Sequence, residues 1–253
     1  MNATRLAFAA LALGAAFTAG AATPAVAKPS VVIVHGAFAD GSDWAKVIPL
    51  LQAKGVDVVA VQNPLSSLKD DVDAAKRAID AQPGKVVLVG HSWGGTVITE
   101  AGANDKVASL VYVAAFAPDA GQSVADLGQG YPAPSGMAHL KADASGWLRL
   151  TPEGVAKHFA QDLPAKQTAV MAATQGPIFG EAFGQKVATA AWKGKPSWYV
   201  VSNADHMIPP AQQRDMAQRI GAKVTTLESS HVPQQSQPAK VAAVILDAVN
   251  ATK

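Results

Sequence analysis

Residues 85–95 read Lys85-Val86-Val87-Leu88-Val89-Gly90-His91-Ser92-Trp93-Gly94-Gly95, and this stretch decides the fold. Val86–Val89 is a short apolar run of mostly β-branched residues, the pattern of a strand buried on both faces. It passes without a gap into Gly90-His91-Ser92-Trp93-Gly94, which fits G-x-S-x-G, and a helical pattern follows over Thr96–Ala103. A strand, a sharp turn and a helix in direct succession lift a serine hydroxyl to the C-terminal edge of a sheet. Gly90 and Gly94 omit the Cβ atoms that would collide where strand and helix approach. The helix N-terminus behind Ser92 offers positive potential to a developing oxyanion. Ser92 is therefore the candidate nucleophile, and the backbone N–H of Trp93 is one candidate oxyanion donor.

Working outward, Val31–Val34, Val56–Val61, Val107–Ala115, Ser197–Val201 and Val224–Leu227 read as further strands. Trp44–Ala53, Leu68–Ala81, Pro210–Ile220 and Ala239–Val249 read as helices between or after them. Strands alternating with helices predict an α/β fold, a mainly parallel sheet with helices on both faces. Residues 119–194 break the rhythm: no strand pattern appears, only scattered prolines, glycines and short helical pieces. Pro152–Gln161 and Ala165–Thr174 are examples of those helical pieces; about 75 residues is too long for a plain loop, so this segment is expected to be a small helical cap inserted between two strands.

A serine hydroxyl needs an imidazole base, and the imidazole needs an orienting carboxylate. His231 follows the last strand, and Asp205 follows Ser197–Val201, so both fall at the same sheet edge as Ser92. The order Ser92…Asp205…His231 resembles that of the α/β-hydrolases. Asp119, after the preceding strand, is a rival for the acid. His35-Gly36-Ala37 follows the first strand, and Gly36 lets the backbone turn closely there; Ala37 N–H is the second candidate oxyanion donor. Of the other histidines, His91 is expected to pack against the sheet and His206 to point away from the acid, while His139 and His158 fall in the cap. No H-x-H or H-E-x-x-H spacing occurs, so neither a metal nor another cofactor is expected.

The 253 residues fit one domain, with 49% hydrophobic and 16% charged residues, enough apolar surface for a substantial core. Lys+Arg of 21 against Asp+Glu of 19 leaves a net charge of +2 without a basic cluster, so nucleic acid is not an expected partner. The absence of cysteine excludes disulfides, thiolate metal sites and a cysteine nucleophile. At the N-terminus, Arg5 precedes an apolar stretch, Leu6–Phe17, and Ala25-Val26-Ala27 offers a small-residue cleavage site. Gly14, Thr18 and Gly20 interrupt that stretch, which reads as a cleavable leader over residues 1–27 rather than a membrane anchor. A domain over 28–253, exported to the periplasm or secreted, is the expectation, and the later chain shows no second span.

Taken together, Val31–Phe38, Gly90–Gly95, Asp205 and His231 resemble the α/β-hydrolase superfamily over essentially the whole mature chain. The short start Val31-Val32-Ile33-Val34-His35-Gly36-Ala37 and the single cap resemble the branch of plant methylesterases, hydroxynitrile lyases and small bacterial esterases. That resemblance implies a six-stranded sheet and ester hydrolysis through an acyl-enzyme. It disfavours lyase chemistry, because the lyases of this branch carry threonine where Gly36 stands and lysine where Val232 stands. The substrate is expected between cap and sheet edge as a small to medium apolar ester. Candidate liners are Phe38, Phe116, Met137 and Trp147, and further along Phe159, Phe179, Phe183 and Met207. Lactonase, thioesterase, perhydrolase or lyase activity on the same three residues, or a non-catalytic ligand receptor, are the alternatives.

Overall fold

The computed structural model describes residues 28–252; the expected leader, residues 1–27, lies outside them. Among the described residues no helix is long and apolar enough to cross a membrane. The chain runs through β1 (Ser30–Val34), β2 (Val58–Val61), β3 (Val86–His91) and β4 (Val107–Val113). Three short cap strands follow, β5 (Leu140–Ala142), β6 (Trp147–Leu150) and β7 (Ile178–Phe179), and then β8 (Ser197–Ser202) and β9 (Lys223–Leu227). Helices α1 (Ile48–Gln52), α2 (Leu68–Asp80) and α3 (Trp93–Ala101) occupy the first half, and Pro210–Arg219 and Pro238–Ala251 are helical in the second.

The main sheet has the order β2-β1-β3-β4-β8-β9 and every pairing in it is parallel. Alternate residues of its central strands feed two different cores. Val32, Val34, Leu88, Leu110 and Tyr112 pack with Val72, Ile79, Val97 and Ile98 of α2 and α3. Val31, Ile33, Val87, Val89 and Val111 pack with Trp44, Leu51, Val241 and Ile245 on the other side. Side chains that point to opposite faces, all apolar, explain the uninterrupted hydrophobic runs; each fully buried Val, Leu or Ile contributes roughly 1.5–3 kcal/mol. The strand order reverses between β1 and β3, which opens a crevice at the carboxyl ends of those two strands. Val34 pairs with Gly90 there, so the loops after β1 and β3 start at the same level.

Four expectations need correction. Trp44–Ala53 is not one helix: a 3₁₀ turn over Gly41–Trp44 is followed by a separate α1. Pro49 has no N–H to give to the preceding turn, and it stands instead in the first turn of α1, where none is required. The strand expected to open at Val56 begins at Val58. The cap is not purely helical, since β5, β6 and β7 form a small antiparallel sheet beside the helix Ala165–Thr174. Asp143 turns β5 into β6 by accepting the N–H groups of Ser145 and Trp147 at 2.8 and 3.0 Å. Pro152–Gln161 is helical only as a short turn, Pro152–Gly154, running into a π-helical turn, Val155–Phe159.

Candidate active site

The strand β3 ends one residue before Ser92, whose backbone sits at φ 51°, ψ −121°. That left-handed geometry in a non-glycine residue stores about 1–3 kcal/mol of strain and persists only where neighbours over-determine it. The neighbours are present. The Ser92 carbonyl accepts the N–H groups of Gly95 at 3.0 Å and Phe116 at 3.2 Å, and Ser92 N–H donates to Val113 at 3.3 Å. A Cβ on Gly90 would fall 2.6 Å from the Gly94 oxygen, so helix and strand approach as closely as the sequence implied.

Around Ser92 the chain assembles a relay from three loops. His231 Nε2 lies 2.8 Å from Ser92 Oγ, and His231 Nδ1 lies 2.7 Å from Asp205 Oδ2. A carboxylate accepts, so Nδ1 carries the proton and Nε2 is left to receive the serine hydroxyl. All three residues are buried, with Ser92 the least so at 7% exposed. Asp205 is fixed from every side: Met207 and Ile208 donate their N–H groups to Oδ1 at 2.7 and 3.0 Å, and Gln213 Nε2 donates to Oδ2 at 2.7 Å. The rival Asp119 is elsewhere, paired with Lys193 at 2.5 Å.

The loop after β1 is equally constrained. His35 Nδ1–H donates to the Gly36 carbonyl at 2.8 Å, and its Nε2 accepts the Asn63 N–H at 3.0 Å. Burial holds His35 below the ordinary imidazole value, which keeps the ring neutral and in this one tautomer. In a trans peptide the C=O and the next N–H point in opposite directions. Holding the Gly36 carbonyl toward His35 therefore turns the Ala37 N–H away from it. Gly36 itself lies against Ser92, for a Cβ there would stand 2.8 Å from Ser92 Cβ.

Several residues that shape the site carry no local signal in the sequence. His91 does not merely pack: its Nε2–H donates to the His231 carbonyl at 2.8 Å. Burial, and then the neighbouring His231, hold its pKa well below the ordinary value, so it remains neutral. Asp43, buried in the turn after the Ala37 loop, accepts Gln234 Nε2 at 2.5 Å and Gln235 Nε2 at 3.0 Å. Burial pushes its carboxyl up against the pull of those two amides. The bonds tie the segment after His231 to the segment after Ala37. Gln213, Asn63, Gln234 and Asp43 meet their partners only through tertiary folding.

Of the expected liners, Phe159 packs on the relay, with its ring 5.1 Å from that of His231. Met207 is buried two residues after Asp205 and Phe183 stands edge-on to Trp93 at 5.6 Å, while Phe116 is bonded to Ser92 through its backbone. Trp147 and Phe179 pack on each other in the small sheet at 5.7 Å. Met137, at 47% exposed, is a surface residue and not a pocket wall. Its place on a 3₁₀ turn, Ser135–His139, directs it outward. Phe38 borders a cleft of about 220 Å³ between the Ala37 loop and the helix Ala165–Thr174, whose walls include Met171 and Lys46 but not Ser92. His206 points away from the acid, into a row with the cap residues His158 and His139. Among the described residues no group of three His, Cys, Asp or Glu side chains is placed to hold a metal ion.

The sequence matches the alpha/beta hydrolase family over residues 31–244. It is 26% identical to a pyrethroid hydrolase of Sphingobium wenxiniae, covering 87% of this chain and 88% of that protein. It is 27% identical to polyneuridine aldehyde esterase of Rauvolfia serpentina, covering 85% of this chain and 94% of that protein. The crystal structure of a pyrethroid hydrolase from Sphingobium faniae superposes with a TM-score of 0.76 over 88% of this chain and 98% of that one, at 23% identity, a likeness of fold. A family match that spans both halves of the main sheet, the cap and every loop of the site leads to one conclusion: this chain is an enzyme belonging to the alpha/beta hydrolase family, in the branch that holds these esterases.

Proposed function

We propose that the protein is a serine carboxylesterase that cleaves small to medium apolar esters through an acyl-enzyme. The observation that carries this reading is the unbroken run from Ser92 Oγ through the His231 ring to Asp205, at 2.8 and 2.7 Å. Ser92 Oγ attacks the ester carbonyl carbon while His231 Nε2 takes the hydroxyl proton. The oxyanion so formed is held by the N–H groups of Ala37 and Trp93, the latter at the first residue of α3. The carbon–oxygen bond to the alcohol then breaks, and His231 returns its proton to the leaving oxygen. A water gives a proton to His231 and adds its oxygen to the acyl carbon; release of the carboxylic acid restores the Ser92 hydroxyl. Asp205 keeps the proton on Nδ1 and stabilises the imidazolium in both halves. Phe159, buried against the imidazole, excludes water from the pair and strengthens each of these interactions. The printed names of the two relatives, a pyrethroid hydrolase and an esterase, support ester chemistry, and the buried Phe159 and Met207 support an apolar substrate.

The test is turnover of p-nitrophenyl acetate and butyrate by the wild type and by Ser92→Ala. Loss of at least about 10³-fold in kcat with the circular dichroism spectrum unchanged is expected. Equal turnover by the two proteins would overturn the assignment.

A further inference from the structure

Asp71 is a buried carboxylate that the reaction above does not use. It stands in the first turn of α2, fully shielded from solvent. Its two oxygens are both taken by neutral donors: Oδ2 accepts the Trp93 indole N–H at 2.7 Å, and Oδ1 accepts the Leu65 backbone N–H at 2.8 Å. Burial lifts its carboxyl to about 6 in spite of these bonds, with a smaller contribution from Asp70 beside it. Leu65 holds a left-handed φ of 59°, and its carbonyl accepts the Phe179 N–H of β7 at 2.9 Å. The Trp93 indole meets the cap again through Phe183. One carboxylate thus fastens the residue behind the nucleophile and the loop on which the cap strand β7 rests.

The consequence lies in the strained turn. The ψ of Ser92 sets the plane of the Ser92–Trp93 peptide, and that plane sets the direction of the Trp93 N–H. A conformation of this kind relaxes unless it is held on more than one side. Gly95 and Phe116 hold the Ser92 carbonyl. The indole bond holds the far end of the same unit, through a side chain whose ring is fully buried. We propose that Asp71 is a positioning residue, whose bond to the Trp93 indole keeps the Ser92–Trp93 peptide in the strained orientation that aims the Trp93 N–H at the oxyanion. The proposal rests on the assignment of Ser92 as nucleophile and Trp93 N–H as oxyanion donor. Removing one oxyanion donor typically lowers kcat by about 10²–10³, and a donor that is mis-aimed rather than absent loses part of that.

The experiment uses the full chain with p-nitrophenyl acetate at pH 8, where Asp71 is ionised, and compares the wild type with Ser92→Ala, Asp71→Asn, Trp93→Phe and the Asp71→Asn/Trp93→Phe double variant. Trp93→Phe removes the indole donor and leaves the backbone N–H in place; Asp71→Asn keeps the side-chain size but puts an amide donor where one of two acceptors stood. Each single variant is expected to lower kcat about 10-fold with KM within about twofold, and the double variant to lose no more than the worse single, because the two side chains act as one unit. If Asp71→Asn does not fold, Trp93→Phe decides the matter alone. A lower denaturation midpoint with kcat per folded molecule unchanged would show a purely structural bond and overturn the proposal. Activity lost in Ser92→Ala but kept in Asp71→Asn and Trp93→Phe defeats the Asp71 role alone. Activity kept in Ser92→Ala defeats both readings.

Discussion

At Gly94 a Cβ would land on the Val34 carbonyl oxygen, a backbone atom of β1 that cannot move without shifting the sheet. Gly128 is the opposite case: its φ is −74° and the nearest atom to an added Cβ is 3.7 Å away. Gly94→Ala is therefore expected to destabilise the protein by about 1–3 kcal/mol, the usual result of overpacking, and Gly128→Ala to be neutral or stabilising by up to about 1 kcal/mol. Urea denaturation of both variants checks this, and a harmless Gly94→Ala would mean that α3 does not approach β1 as described. The candidate residues Ser92, Asp205 and His231 were legible because their place in the chain fixes their place in space. A serine directly after a central strand, an aspartate and a histidine after two later parallel strands must converge at one edge. His91, Asp43, Asp71 and Gln213 were not legible in this way. Each is a polar residue whose partner no periodicity announces, whether the hydrogen bond spans 8 residues, as for Gln213, or 22 or 191.

At the scale of elements, the sequence signals that worked were those with enough residues to show a period. α2 repeats Leu68, Val72, Ala75 and Ile79 along its buried face and opens with Ser67 accepting the Asp70 N–H. β1, β3 and β4 are buried throughout or nearly so, and their apolar runs say as much. The cap strands are another matter. β7 has two residues and β5 three, too short for an alternation to be recognised, and β6 finds β7 only across the whole of the helix Ala165–Thr174. The helix expected from Trp44 failed for a local reason, Pro49, whose effect depends on whether it falls inside a helix or in its first turn. The cap reaches the site through Phe159 on His231 and Phe183 on Trp93, and through hydrogen bonds in which Gln161 donates to the Ala204 carbonyl and the Ser230 N–H donates to Asp162.

For the molecule as a whole, the buried ionisable groups set the response to pH. His91 and His35 are both held below the ordinary imidazole value of 6.5 by burial, so the unfolded chain takes up their protons before the folded one does. Stability from these two rings is complete above pH 6.5 and is lost as the pH falls below it. Asp71, at about 6, acts in the opposite sense: below pH 6 the folded protein gains its proton ahead of the unfolded chain, and this offsets part of the loss; Asp43, also raised by burial, adds in the same direction. The urea midpoint is therefore expected to hold steady from pH 7.5 to about 6.5, to decline as the pH falls toward 6 and to flatten below that. A midpoint that rises over pH 7.5 to 6 would show that the two rings are not held neutral.

The central claim is that a hydroxyl at the end of β3, activated by His231, is the group that attacks the substrate. Reaction of the folded protein with a fluorophosphonate, followed by intact mass and peptide mapping, tests it most directly. One adduct per chain, located on Ser92, absent in Ser92→Ala and formed far more slowly in His231→Ala, is the predicted result. No adduct on folded wild-type protein, or an adduct that survives Ser92→Ala, would contradict it.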